Sequence, residues 1–167
     1  MTDRLTARLN PFAAAPALMS EWQKASFAVA KSLDPKLAAL VEIRASQLNG
    51  CANCINMHTQ FAREHGESEQ RIYLLSAWRE APCFDARERA ALAWTDALTR
   101  LSQEPDLDAA YQALKAEFTE EEQVKLTLMI NVINGWNRIA VGFHAFASPQ
   151  DIKAANAAMK AAQAAAA

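Results

Sequence analysis

Residues 49–58 of the chain read Asn-Gly-Cys-Ala-Asn-Cys-Ile-Asn-Met-His, and this stretch decides how the segments on either side of it fold. Asparagine and glycine tolerate the left-handed backbone that ends a helix, so the helix predicted over 35–48 stops there. The next helix begins near Cys51 and continues until Gly66 supplies the next stop signal. The stretch therefore predicts two helices joined by a tight turn, with a thiol at the junction.

The remainder of the chain is predicted to be helical as well. Glycine is scarce at 4 residues, the 6 prolines lie at or near the ends of periodic segments, and no segment reads as a strand. Apolar spacing predicts further helices over 17–33, 69–79, 85–101, 106–117 and 120–147, and an alanine-rich helix after Ser148-Pro149. We expect one all-α domain over 1–167, a compact bundle of about seven to eight helices.

The segment 120–147 is the longest apolar stretch of the sequence. Thr119 and Glu122 have the spacing of a capping box, which indicates that a helix begins at 120. Apolar residues cover most of the circumference of that helix. The pattern predicts either a central helix or a seam between subunits, and we expect the protein to form oligomers.

Composition and charge exclude several classes of protein. The 17 basic and 19 acidic residues are interspersed and give a formal net charge of -2, so nothing indicates a nucleic-acid partner. Apolar runs such as 27–30 are far shorter than the roughly 18 to 20 residues of a membrane span. Pro11 and Pro16 interrupt the alanine-rich N-terminal part that could resemble a secretory signal. We expect a cytoplasmic protein without a membrane partner.

Three residues near the predicted turn could carry chemistry. Cys51 and Cys54 are three residues apart and His58 lies four further on, so all three share one face of a helix. The free N–H groups and the positive dipole end of a helix start stabilise a thiolate, and His58 adds a base or a positive charge. A thiolate attacks a peroxide oxygen, and a second thiol then condenses with the sulfenic acid to form a disulfide. The pattern favours a redox centre.

Pairs of cysteines with C-x-x-C spacing also have other uses in proteins. A zinc site needs four converging ligands, and the sequence has no second C-x-x-C pair. Covalent haem attachment requires a histidine directly after the second cysteine, where Ile55 stands. The two cysteines could also pack as small buried apolar residues. No motif requires a metal or an organic cofactor, and we expect neither.

The other cysteine and histidines are interpreted as bystanders. Cys83 lies beside Pro82 in a predicted loop and is expected to be inert. His65 is expected to cap the end of its helix, where a cation favours the dipole. His144 lies among aromatic residues and is as compatible with a core histidine as with a functional one.

The motif and its surroundings resemble the alkylhydroperoxidase AhpD-like group within the carboxymuconolactone decarboxylase family. The resemblance centres on Ser46-Gln47-Leu48-Asn49-Gly50 followed by Cys51, Cys54 and His58, and continues through 66–75, 87–95 and 131–138. Two positions depart from the usual family pattern. Ala39 stands where a glutamate is found, and Asn53 stands where a second histidine often lies between the cysteines.

The resemblance implies an all-helical fold that assembles as trimers or as hexamers of trimers. It implies that Cys54 meets the peroxide and that Cys51 resolves the product into a disulfide. It also implies that His58 joins a proton relay with a glutamate on the preceding helix. The nearest such residue here is Glu42, one turn beyond Ala39.

We therefore expect a thiol-dependent hydroperoxide reductase that acts in antioxidant defence. Its substrate would be a small organic hydroperoxide or hydrogen peroxide, and its reductant a thioredoxin-like or lipoyl-linked protein. A homotrimer or homohexamer is expected. Two alternatives stay open: a decarboxylase-like lyase that uses the same pocket without its thiols, and a non-enzymatic disulfide switch that is oxidised once.

Overall fold

The computed structural model describes residues 7–103, 105–145 and 157 of the chain. Within them it is helical throughout and contains no strand, which confirms the predicted all-α fold. Its helices are α1 (Pro11–Ala14), α2 (Pro16–Lys31), α3 (Pro35–Leu48), α4 (Ala52–Glu64), α5 (Glu69–Leu74), α6 (Ala86–Thr99), α7 (Leu107–Glu117) and α8 (Glu120–Phe143). Two short 3-10 turns lie at Leu75–Ala77 and Leu101–Gln103.

The helix ends follow the local signals most closely around α3 and α8. The Asp34 side chain accepts hydrogen bonds from the backbone N–H groups of Lys36 and Leu37, and so caps α3. Gly50 has a left-handed backbone with φ +64, which separates α3 from α4. Thr119 and Glu122 form the predicted capping box at the start of α8.

Elsewhere the boundaries differ from the prediction. An unpredicted helix, α1, forms because Asn10 caps the N–H groups of Phe12 and Ala13. The segment predicted as one helix over 69–79 tightens into a 3-10 turn after Leu74. Helix α8 ends at Phe143, and His144 closes it with φ 51. The predicted alanine-rich last helix falls outside the described residues.

The central helix of the fold is α3. All ten residues from Leu37 to Ser46 are buried, although two of them carry charges. Helix α8 instead buries one face, and it leaves Val124 and Leu128 exposed on the other. The apolar segment predicted as a central helix is therefore less completely buried than α3. A subunit seam on α8 stays a prediction.

Helix α3 contributes to both hydrophobic clusters of the core. The first joins Val41 and Ala45 of α3 to Met129 and Ile133 of α8, and it contains both cysteines of the motif. The second joins Leu40 and Ile43 to residues of the 75–84 segment and of α6. Helix α3 therefore holds each of its buried polar side chains against a different set of neighbours.

One of these polar side chains belongs to an ion cluster of Arg44, Asp96 and Arg79. Arg44 and Asp96 are buried and Arg79 is exposed, and we call the group the buried ion cluster after its first two members. Arg44 Nε and Nη2 lie 2.6 and 3.0 Å from the two carboxylate oxygens of Asp96. Arg79 Nη1 approaches Asp96 Oδ2 at 2.5 Å. The Trp78 indole N–H also donates to Asp96 Oδ2, at 3.4 Å. The cluster ties α3 to α6 and to the segment between α5 and α6.

No helix among the described residues is long and apolar enough to cross a membrane.

Candidate active site

The two cysteines of the motif lie at the junction between α3 and α4. Cys51 is the N-cap residue of α4, and its backbone N–H donates to the Ser46 carbonyl oxygen at 2.9 Å. Cys54 lies on the first turn of α4, so its sulfur is 2.8 Å from that of Cys51. Both are free thiols, with 1% and 4% of their surfaces exposed. The turn thus brings two shielded thiols into direct contact.

A buried carboxylate and imidazole complete the site. Glu42 Oε2 lies 2.9 Å from His58 Nδ1, and the side chains of both are nearly enclosed. Glu42 comes from the middle of α3, while His58 lies one turn beyond Cys54 on α4. The departure from the family pattern at Ala39 is thereby offset, since the glutamate one turn later reaches the histidine.

The two thiols have pKa values that are shifted in opposite directions. The hydrogen bond to Cys54 lowers the pKa of Cys51 to about 7, and it outweighs the burial that would raise it. The Cys54 backbone amide, the Asn137 side chain and His58 lower the Cys51 pKa further. The pKa of Cys54 is raised by the same bond, by burial and by the Cys51 charge. The pair thus shares one proton, with the negative charge favoured on Cys51.

The imidazole of His58 also has a shifted pKa. Burial alone would lower that pKa, but the adjacent Glu42 carboxylate outweighs the burial and raises it above its ordinary value. The negative charge on Cys51 acts in the same direction. A positively charged imidazole is therefore stabilised between an anionic carboxylate and an anionic thiolate.

The structure brings together all four residues singled out from the sequence: Cys51, Cys54, His58 and Glu42. Among the described residues, no group of three or more histidine, cysteine or acidic side chains is arranged to hold a metal ion. The arrangement offers a stabilised thiolate, a second thiol in contact with it, and a charged pair that can carry a proton. Those are the elements of dithiol–disulfide chemistry.

The residues interpreted as bystanders lie elsewhere. Cys83 is half-buried, packs against the second core cluster and lines an open cavity of about 410 Å³ together with Lys36 and Arg71. His65 Nδ1 lies 2.8 Å from the Phe61 carbonyl oxygen at the end of α4, in the predicted capping position. His144 is half-buried at the end of α8 and so is not a core histidine, while a functional role for it stays a prediction.

Sequence reasoning missed one residue that faces the thiols, Asn137 of α8. Its amide acts to lower the pKa of both Cys51 and Cys54, and only 1% of the residue is exposed. The signal was a pair of polar residues, Asn134 and Asn137, three apart in the apolar segment 120–147. Spacing alone placed them on one face, but it did not indicate which helix that face meets.

Comparison with known proteins places the chain among related sequences. The model of the carboxymuconolactone decarboxylase family matches residues 14–97. The uncharacterized protein YdfG of Bacillus subtilis is 44% identical over 110 residues, which cover 66% of this chain and 75% of YdfG.

Two solved structures share the fold. One is ATU0492 from Agrobacterium tumefaciens, a protein of unknown function proposed to be the antioxidant defence protein AhpD. It is 41% identical with a TM-score of 0.83, and the match covers 86% of this chain and 99% of that one. The debrominase Bmp8 is 16% identical with a TM-score of 0.72, covering 80% of this chain and 72% of its own. The likeness to Bmp8 concerns the fold alone.

Proposed function

Because this chain belongs to the carboxymuconolactone decarboxylase family and carries a buried pair of contacting thiols, we propose that it is a thiol-dependent hydroperoxide reductase. One observation carries the proposal: the two sulfurs are 2.8 Å apart, beside a Glu42–His58 pair at 2.9 Å. A lyase acting on a lactone has no use for two coupled thiols, whereas a peroxidase needs both. The similarity to a protein proposed as AhpD supports the same activity.

In the proposed reaction the hydroperoxide oxidises one sulfur, which then forms a disulfide with the other. A thiolate attacks the terminal oxygen of a hydroperoxide, the O–O bond breaks, and the alkoxide takes a proton and leaves as an alcohol. The resulting sulfenic acid condenses with the second thiol, which forms the Cys51–Cys54 disulfide and releases water. A dithiol protein of the thioredoxin-like or lipoyl-linked class then reduces this disulfide and is itself oxidised.

The two sulfurs have separate roles in the proposal. Cys54 attacks the peroxide, as the family resemblance implies, although the resting negative charge is favoured on Cys51. The shared proton must therefore leave Cys54, and the sulfur of Cys51, 2.8 Å away, is positioned to accept it. The Glu42–His58 pair supplies the proton that the departing alkoxide needs. Cys51 then closes the disulfide.

Single-cysteine variants test the proposal. Peroxide consumption with a dithiol donor is expected to stop in Cys54→Ser and in Cys51→Ser, and to continue unchanged in Cys83→Ser, the matched control. Cys51→Ser should still form a sulfenic acid at Cys54 that a dimedone-type reagent traps. Full turnover by Cys54→Ser contradicts the proposal, and trapping at Cys51 in Cys54→Ser but not at Cys54 in Cys51→Ser reverses the two roles.

The same assay separates the two alternatives. A lyase would keep its activity on a lactone acid in Cys51→Ala, because its chemistry does not use the thiol. A disulfide switch would be oxidised once per protein molecule and would show no steady-state consumption of peroxide. A homotrimer or homohexamer is part of the proposal, and light scattering of the purified protein measures it.

A further inference from the structure

A chain of side-chain amides, two of them buried and one half-buried, links α8 to the end of α3. Asn49 Nδ2 donates to Asn134 Oδ1 at 2.9 Å and to Asn137 Oδ1 at 2.8 Å. At one end, Asn134 Nδ2 donates to the Ile130 carbonyl oxygen at 2.9 Å. At the other end, Asn137 Nδ2 donates to Ser46 Oγ at 3.0 Å. We call these three amides and the Ser46 hydroxyl the amide chain.

Two backbone carbonyl oxygens fix the direction of every hydrogen bond in the amide chain. The Ile130 carbonyl can only accept, so the atom of Asn134 that faces it is the amide nitrogen, and Asn134 turns its oxygen toward Asn49. Asn49 must then donate to both of its partners, and Asn137 presents its oxygen to Asn49. The nitrogen of Asn137 is thereby directed away from Asn49.

The other end of the chain leads to the same orientation independently. The Ser46 hydroxyl donates to the Glu42 carbonyl oxygen at 2.7 Å, so its oxygen has to accept a hydrogen from Asn137. One N–H of Asn137 is used in this way. The second N–H is left for another neighbour, and Cys51 is close by, because its backbone N–H donates to the carbonyl oxygen of the same Ser46 at 2.9 Å. The Asn137 amide also acts to lower the pKa of both thiols, as a donor to sulfur does.

From this orientation we propose that Asn137 is a thiol-contacting residue that donates a hydrogen bond to the anionic sulfur of the Cys51–Cys54 pair, with the amide chain holding it in place. The inference rests on the proposed function for its role in turnover, but the hydrogen bond itself does not. A hydrogen bond to a charged group is among the stronger ones in proteins. It should therefore favour the thiolate over the thiol and the dithiol over the disulfide.

The test measures the pH at which iodoacetamide alkylation of the reduced protein is half-maximal, in a Cys83→Ser background. Asn137→Leu, similar in size but without donors, is expected to move this midpoint up by about one pH unit and to lower the alkylation rate at pH 7 about fivefold. Thr99→Val is the matched control. It removes the hydrogen bond from Asn134 to Thr99, at 3.0 Å, but keeps the one from Asn134 to the Ile130 carbonyl oxygen, so it should not move the midpoint.

If Asn137→Leu does not fold, Asn137→Asp provides the same comparison, because a carboxylate keeps the shape and places an acceptor against the sulfur. It should move the midpoint upward at least as far, and it should make the disulfide harder to reduce with dithiothreitol. An unchanged midpoint in the folded variant overturns the inference. A shifted midpoint in a protein without peroxide turnover would refute the proposed function while leaving the inference intact.

Discussion

Glu42 and Arg44 are two residues apart on the same buried helix, yet they belong to polar groups of different kinds. Arg44 meets Asp96 and Arg79, whose charges are fixed across the physiological pH range. Glu42 meets His58, whose pKa is raised, beside Cys51, whose pKa is lowered to about 7. Burial alone therefore does not mark a functional site. The distinguishing feature is a set of neighbours whose protonation states depend on one another.

The largest expected effect comes from breaking the buried ion cluster. Asp96→Asn leaves the Arg44 guanidinium buried without a counter-charge, which should lower the free energy of unfolding by about 3–5 kcal/mol. Chemical denaturation monitored by circular dichroism measures the loss. Turnover per folded molecule should be unchanged. Glu69→Ala, at the exposed pair with Arg63, is the control and should leave the denaturation midpoint in place. Equal losses of unfolding free energy in Asp96→Asn and Glu69→Ala would contradict the expectation that the buried pair contributes more than the exposed one.

The corresponding substitution in the Glu42–His58 pair is Glu42→Gln. It replaces a buried carboxylate with an amide of the same shape, so its main effect should fall on proton transfer. Peroxide turnover is expected to decrease by about a hundredfold, the lower range for general acid–base catalysis. The unfolding free energy should change less than in Asp96→Asn. If the variant loses stability but keeps its turnover, Glu42 stabilises the fold and takes no part in proton transfer.

The third prediction concerns the thiols themselves. The lowered pKa of Cys51 means that alkylation of the pair should be half-maximal at about pH 7, rather than at the ordinary thiol value of 9.0. The rate rises with pH, since the thiolate is the reactive form. The reduced Cys83→Ser protein provides a preparation in which only the pair reacts. A single midpoint near 9 would show that the site does not stabilise the anion.

The smallest expected effect is a difference in how the stability contributed by the Glu42–His58 pair and by the buried ion cluster depends on pH. His58 has a raised pKa in the folded state, so its pairing with Glu42 stabilises the protein below 6.5 and is lost as the pH rises through the raised value. Asp96 has a lowered pKa, because its two arginine partners outweigh burial, and its contribution is lost only in acid. Between about pH 6 and 9, the stability penalty of Glu42→Gln should shrink and that of Asp96→Asn should stay constant.

These measurements are made on the Cys51–Cys54 disulfide form in a Cys83→Ser background, so that no cysteine titrates. Parallel pH dependence in the two variants would contradict the assignment of fixed and exchangeable charges.

The sequence was sufficient for the parts of the fold that depend on local signals. Asp34-Pro35 and Asn49-Gly50 placed both ends of α3, and the spacing from Cys51 to His58 placed the reactive groups on one face. Glu42 required the resemblance as well, because helical spacing alone does not favour one turn of α3 over the next. The residues that local patterns could identify were therefore those within one or two adjacent helices.

What the sequence could not supply depends on contacts between distant segments. Asn137 of α8 hydrogen-bonds to Asn49 and Ser46 at the end of α3, and the amide chain exists only once α8 packs on α3. The same holds for the central position of α3, since Arg44 can be buried only because Asp96 of α6 meets it. A charged residue on a periodic helix reads as exposed until its partner is known.

The proposed peroxidase activity is tested most directly by treating the reduced protein with one equivalent of an organic hydroperoxide, counting thiols and mapping the products by mass spectrometry. We expect the rapid loss of two thiols into an intramolecular disulfide between Cys51 and Cys54, with one equivalent of alcohol formed and Cys83 unmodified. Intact thiols after complete mixing, or a disulfide that requires Cys83, would contradict the proposed activity.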